Sequence, residues 1–438
     1  MYQLHVQVLT FCAVGAFGAG TGCSDHNQSR LSAASDPQVS NGVSGSCARS
    51  VCPNTAAGSG GATETDASTG DRAMTSSGAP DDQGGDVSTA QVKTPEIVGT
   101  DCLGSKADTQ RHSAHCGQCG NACAPFVLAS GLDWPLGIAL NATTAFWVTG
   151  GNEAKVMSAP LAGGAVTTLA DAQPSPMSIA INATHIYWAG YGNIFKLPLA
   201  GGTPIRLVTT QVNLNSIALD AQFVYGVEIR DTDVGAVIKV PLDGGDVITL
   251  ATIPGSDPYG VAVDGKSVYW ANGNNSIDSV VLKVPLAGGE PVKLASGTSN
   301  AYAIAVDATS VYWVAHDTVG SLFGATIASV VMKVPLEGGT PLTLATGTHM
   351  PQGLAIDRVS AYWTNSSTSQ VVSAIPGTDG SVLGVPLAGG ATTTLGPNQD
   401  EPGGIAANGE TVCWTTMGSG RGNGSVKCLG ICNEGRCP

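Results

Sequence analysis

Between about residue 126 and residue 428 the apolar and polar positions return in one repeating order. A clear copy runs Val261-Ala262-Val263-Asp264-Gly265-Lys266-Ser267-Val268-Tyr269-Trp270, then Lys283-Val284-Pro285-Leu286-Ala287-Gly288-Gly289, then Pro291-Val292-Lys293-Leu294-Ala295. Alternating apolar residues broken by Asp-Gly and Gly-Gly turns predict short strands, because β-branched and aromatic side chains suit a pleated surface and a Cβ disfavours those turns. Each copy reads as four strands: an inner apolar strand, one ending in Tyr-Trp, one ending in Val-Pro-Leu, and an outer one like Pro291 to Ala295.

Strand-turn-strand units end at Trp147, Trp188, Trp270, Trp313, Trp363 and Trp414, with a degenerate seventh at Tyr225-Gly226. The Pro-Leu-x-Gly-Gly unit begins at Pro160, Pro198, Pro241, Pro285, Pro335 and Pro386, at spacings of 38 to 51 residues. A four-stranded unit at that period belongs to propeller blades, so the expected fold is all-β, a seven-bladed β-propeller over 125–430. The seventh unit lacks its outer strand at the C-terminal end. Phe126-Val127-Leu128-Ala129-Ser130-Gly131 resembles the outer strand Val292-Lys293-Leu294-Ala295-Ser296-Gly297 and is expected to close that blade, leaving no open edge.

The repeats resemble the YWTD and NHL families of propellers and lipoprotein propellers of myxobacteria over roughly 300 residues. The Tyr-Trp and the Asp or Asn before the turn carry the likeness; the full quartet is never present, Tyr362-Trp363-Thr364-Asn365 being nearest. The resemblance therefore implies the propeller and not the ligand recognition of those families.

Upstream the pattern changes. An apolar run from Val6 to Ala19 is too short to remain as a membrane span and reads as a signal peptide over 1–22, although His5 is its only basic residue. Gly20-Thr21-Gly22-Cys23 resembles the lipobox of bacterial lipoproteins, which implies lipidation of Cys23 and an outer-membrane or secreted protein. Residues 23–97, rich in Ser, Gly, Thr, Ala and Asp, cannot bury enough apolar surface to offset ordering and are expected to form a tether. As a flexible coil it would reach on the order of 50 Å.

Composition narrows the partners. A formal charge of −14 with only 19 Lys and Arg argues against tracking a nucleic-acid backbone. Of 12 cysteines, ten remain after Cys12 and Cys23 are set aside, an even number suited to disulfides in an oxidising compartment. Cys102, Cys116, Cys119 and Cys123, with His112 and His115, lie in a Cys-rich segment, 98–124, that reads as a disulfide knot, a zinc site or a redox dithiol. Its CGxCGNxC pattern resembles a motif of secreted myxobacterial proteins. Cys413 and Cys428 fall on neighbouring strands of the last blade, and Cys432 and Cys437 lie where the tail, 431–438, can reach the knot.

In a four-stranded blade the outer-to-inner and second-to-third connections share one face. Here they are long and variable, 228–236, 272–279, 315–329 and 365–381 among them, whereas the opposite connections are short and uniform. Binding concentrates on variable loops of a rigid scaffold. Entering the inner strands on that face are Asp133, Trp134, Asn215, Asp257, Tyr259, Asn300, Tyr302, His349, Gln352, Asp400 and Glu401, the candidate ligand-binding residues. Aromatic rings among amides and carboxylates suit a sugar, a peptide or a cation; a solvated polar rim is the plain alternative.

No G-x-S-x-G, H-E-x-x-H or P-loop occurs. The leading expectation is a non-catalytic binding or scaffolding module of the cell envelope, with no cofactor and no metal, that meets an envelope, matrix, carbohydrate or peptide ligand. A second is an enzyme. The repeats also resemble streptogramin lyases, which implies a histidine and acidic cluster with a divalent metal, and His316, His349 and Asp400 or Glu401 are the nearest candidates, without the family's close spacing. A third is a purely structural surface or matrix component.

Overall fold

The computed structural model describes residues 124–431 apart from 152, 210–212, 230–233, 255–256, 274–278, 299, 317–328, 349 and 367–379, together with two short strands upstream. Those two, Val98–Thr100 and Lys106–Asp108, pair antiparallel as a small separate ladder. The signal, tether, knot cysteines and C-terminal tail, with Cys23, Cys102, Cys116, Cys119, Cys123, Cys432 and Cys437, lie outside the described residues.

Seven four-stranded antiparallel sheets follow one another along the chain, with no helix among the described residues. Blades 1 to 6 occupy 135–170, 178–209, 213–254, 257–298, 301–348 and 351–399, each with its strands in sequence order from inside to outside. Blade 7 takes Pro402–Ala407, Thr411–Thr416 and Gly424–Gly430 and receives Phe126–Leu132 as its outer strand. Each inner strand packs on that of the next blade, and the inner strand of blade 7 packs on that of blade 1, so the ring closes.

The tryptophans on the second strands hold the blades to one another. Trp147, Trp188, Trp270, Trp313, Trp363 and Trp414 are at most 1% exposed, and each lies in an apolar cluster with the preceding blade. Burial of a large aromatic ring at six of the seven interfaces is a large apolar contribution to the ring. Blade 3 carries Gly226 at this position. There Leu214 fills the space, its Cδ2 standing 3.0 Å from where a Cβ of Gly226 would lie.

A row of side chains crosses each blade in register. In blades 2 to 5 the second-strand tyrosine (Tyr187, Tyr225, Tyr269, Tyr312) stands opposite a third-strand lysine (Lys196, Lys239, Lys283, Lys333). Opposite each lysine is an outer-strand aliphatic: Ile205, Ile248, Val292 or Leu342. The lysine Nζ donates to the backbone oxygen of Leu242, Leu286, Leu336 or Leu387 in the following blade, at 2.5 to 2.9 Å. Blades 1 and 6 have no lysine in the row, and their outer-strand position is Thr167 or Thr393 instead. In blade 7 the row becomes Cys413 opposite Cys428, joined by a fully buried disulfide.

Candidate functional site

The seven inner strands share one order of side-chain character, and one position departs from it. The first residue is buried in every blade: Pro135, Pro176, Leu214, Pro258, Ala301, Pro351 and Pro402. The third is always small, from Gly137 to Gly404; a Cβ at Gly137 would meet the backbone oxygen of Met177 at 2.9 Å, and one at Gly353 that of Gly403 at 2.8 Å. The fourth is aliphatic in all seven, and the fifth is alanine in all seven, from Ala139 to Ala406. Close approach of neighbouring inner strands demands this uniformity.

The second position is Leu136, Met177, Asn215, Tyr259, Tyr302, Gln352 and Gly403 around the ring, and each is at least partly exposed. A register irregularity at this point in blades 1 and 3 to 7 marks a β-bulge, which frees the side chain from the ladder and re-aims it. Tyr259 and Tyr302 meet across adjacent blades, ring centroids 5.0 Å apart and tilted by 43°. Gly273 gives Tyr259 its seat, since a Cβ there would overlap the ring.

Just before these strands the backbone is strained. Trp134, Asn300, Met350 and Glu401 have φ of 43°, 38°, 27° and 48°, the left-handed region that side chains disfavour. Three of the four precede a proline, whose ring adds its own restriction. Such strain persists only where surrounding contacts fix it. Those contacts are explicit around blade 7.

The connection 417–423 is held from both sides. Met417 N donates to Glu401 O at 3.0 Å, Ser419 N to Asp400 Oδ2 at 2.9 Å, and Gly422 N to Asp133 Oδ1 at 2.7 Å. Arg421 pairs with Asp133 at 3.8 Å and carries its guanidinium to 6.0 Å from the Trp134 ring centroid. Asp400 Oδ1 is buried without a hydrogen-bond partner. Beside it, Gln399 Oε1 accepts from Trp414 Nε1 at 3.0 Å and from Lys427 Nζ at 2.9 Å. Burial lowers the Lys427 pKa below the usual lysine value, partly countered by Asp400.

The candidate residues thus fall into two groups, Tyr259 with Tyr302 on blades 4 and 5, and Asp133, Trp134, Asp400 and Glu401 around the blade 7 connection. Asn215 and Gln352 hold the variable position on blades 3 and 6, and Asn300 is a buried junction residue. His349 and the side chain of Asp257 lie outside the described residues, as do the side chain of His316 and most of the long connections. Among the described residues no group of three or more His, Cys, Asp and Glu is placed to hold a metal. Leu136, Met177, Arg421 and the glycine-rich 418–422 carry no motif in the sequence; only alignment of the seven inner strands marks the first two.

No family model matches the chain, and no curated protein matches it in sequence. Solved structures do resemble it. An oligogalacturonate lyase in complex with manganese aligns at 10% identity over 73% of this chain and 96% of that one, with a TM-score of 0.54. The WD40 β-propeller domain of Doa1 aligns at 10% identity over 72% and 99%, with a TM-score of 0.50. A TolB-like protein from Agrobacterium tumefaciens aligns at 14% identity over 61% and 95%, with a TM-score of 0.42. What the first two share with this chain is the fold.

Proposed function

We propose that the chain is an exported, non-catalytic binding module of the cell envelope, anchored through Cys23 and its tether, which takes its ligand at the variable end of the inner strands. One observation carries this reading. Across the seven repeats the second inner-strand position is the one that changes side-chain class, and it holds aromatic or amide side chains in four blades: Asn215, Tyr259, Tyr302 and Gln352. Variable, partly exposed aromatic and amide side chains on a rigid scaffold are where binding concentrates.

The likeness to a lyase is one of fold and brings no catalytic residue to this chain. Co-sedimentation of the full-length protein with envelope and matrix material of the producing cell tests the proposal. Saturable retention is expected. Recovery of all the protein in the supernatant at every load contradicts it.

A further inference from the structure

We propose that the seam between blades 7 and 1 is a saccharide subsite, in which a sugar ring lays its C–H face on Trp134 and sets neighbouring hydroxyls against Asp133 and Arg421. The inference deepens the binding reading above and rests on it. Trp134 is the one tryptophan outside the interblade position, and it is partly exposed where the other six are sealed. Its ring lies against backbone at Gly151, where a Cβ would stand 3.3 Å from Cε3 and Cζ3. An indole fixed in this way offers a rigid apolar plate.

The polar groups beside the plate are set in advance. Gly150 N donates to the backbone oxygens of Asp133 and Trp134, and Asp133 and Asp400 fix the connection that carries Arg421. Little ordering would remain to be done when a ligand arrives, which favours affinity. The Arg421 guanidinium stands over the Trp134 ring, its carbon 6.0 Å from the centroid, at the outer reach of a cation–π contact, so the same pair holds both the ring and the charge in place.

Chemistry narrows the ligand class. A polyanion meets an arginine already balanced by Asp133, on a chain of net charge −14. A simple cation meets a carboxylate already engaged by Gly422 and Arg421. A purely apolar ligand would strip water from both charged groups and return no hydrogen bond. A neutral sugar ring satisfies all three elements, because it has an apolar face for the indole and adjacent hydroxyls that donate to Asp133 and accept from Arg421.

The test is calorimetric titration of the full-length protein with neutral oligosaccharides built on glucose, galactose, mannose and N-acetylglucosamine, with oligogalacturonate as the charged comparison. At least one neutral saccharide is expected to bind. Trp134→Ala should weaken it by about tenfold or more, Trp134→Phe much less, and oligogalacturonate should bind no better than its neutral counterpart. Arg421→Gln, an exposed position outside the core, should weaken binding in the same direction and covers the case in which Trp134→Ala does not fold. Absence of binding by every neutral saccharide, or binding indifferent to both Trp134→Ala and Arg421→Gln, overturns the subsite. If envelope retention persists in that case and depends on Tyr259 and Tyr302, the broader reading stands and only the saccharide inference falls.

Discussion

In blades 3 to 6 the second-strand tyrosine donates its hydroxyl to the aspartate that closes the preceding turn, Tyr225 to Asp220, Tyr269 to Asp264, Tyr312 to Asp307 and Tyr362 to Asp357, at 2.6 to 2.9 Å. The other carboxylate oxygen accepts backbone N–H groups of the turn, as from Thr309 and Ser310 at Asp307. Burial first, and the carboxylate second, raise all four phenols, Tyr312 to about 12 and the others further. A phenol that holds its proton more tightly folded than unfolded gives stability that is full below the ordinary value of 10.0 and is lost as pH rises through the folded value. Asp307 has the opposite sign: burial pushes it up, but hydrogen bonds led by Thr309 hold it below 3.8, so its contribution is lost in acid. The thermal midpoint should therefore fall steadily from pH 10 to 12, while tyrosinate absorbance lags behind that of free tyrosine. Ionisation of all nine tyrosines together at the free value would refute this. The turn role of the aspartates was legible in the sequence, from an acid before a tight turn. The phenol bond was not, because it depends on which side of the sheet each residue faces.

Among the elements, the third strand binds its neighbour through a lysine whose reach spans 46 to 54 residues of sequence, a distance no local pattern reveals. The aliphatics Ile205, Ile248, Val292 and Leu342 are 42 to 53% exposed and would look like a docking stripe in isolation. Their occurrence only in the blades with the lysine, directly cross-strand from it, accounts for them as neighbours of its apolar stem. Lys283 donates to Leu336 O at 2.7 Å and to the exposed Glu337 at 3.1 Å. Lys283→Ala should lower stability by about 1 to 2 kcal/mol, because it removes a charged hydrogen bond at an interface. Glu337→Ala should cost under about 0.5 kcal/mol, because its partner is at the surface. Denaturant unfolding of the two variants decides, and equal effects would contradict the assignment. Strand number and order were readable from the repeat, whereas the bulge was hidden, since an added residue leaves the apolar alternation looking merely irregular.

For the whole molecule, closure of the ring depends on Phe126–Leu132 pairing with Gly424–Gly430, a join visible beforehand because the first strand repeats the outer-strand sequence. The Cys413–Cys428 bridge takes the place of the tyrosine–lysine pair at that join, across a sequence separation of 15. Replacing both cysteines by alanine should cost about 3 kcal/mol in denaturant unfolding and leave the propeller folded; an unchanged midpoint would show that the bridge does not secure the closing blade. The site was legible only in outline. Loop length proposes a face and a set of candidate residues, but the variability of the second inner-strand position emerges only once the seven strands are set in register, bulges included. The most direct measurement compares envelope retention of Tyr259→Ala/Tyr302→Ala/Gln352→Ala with that of Gln222→Ala/Lys266→Ala, placed on the opposite face, both confirmed folded by their thermal midpoints. Loss of retention in the first and normal retention in the second is the predicted result, and the reverse, or equal retention in both, would contradict a ligand site at the variable end of the inner strands.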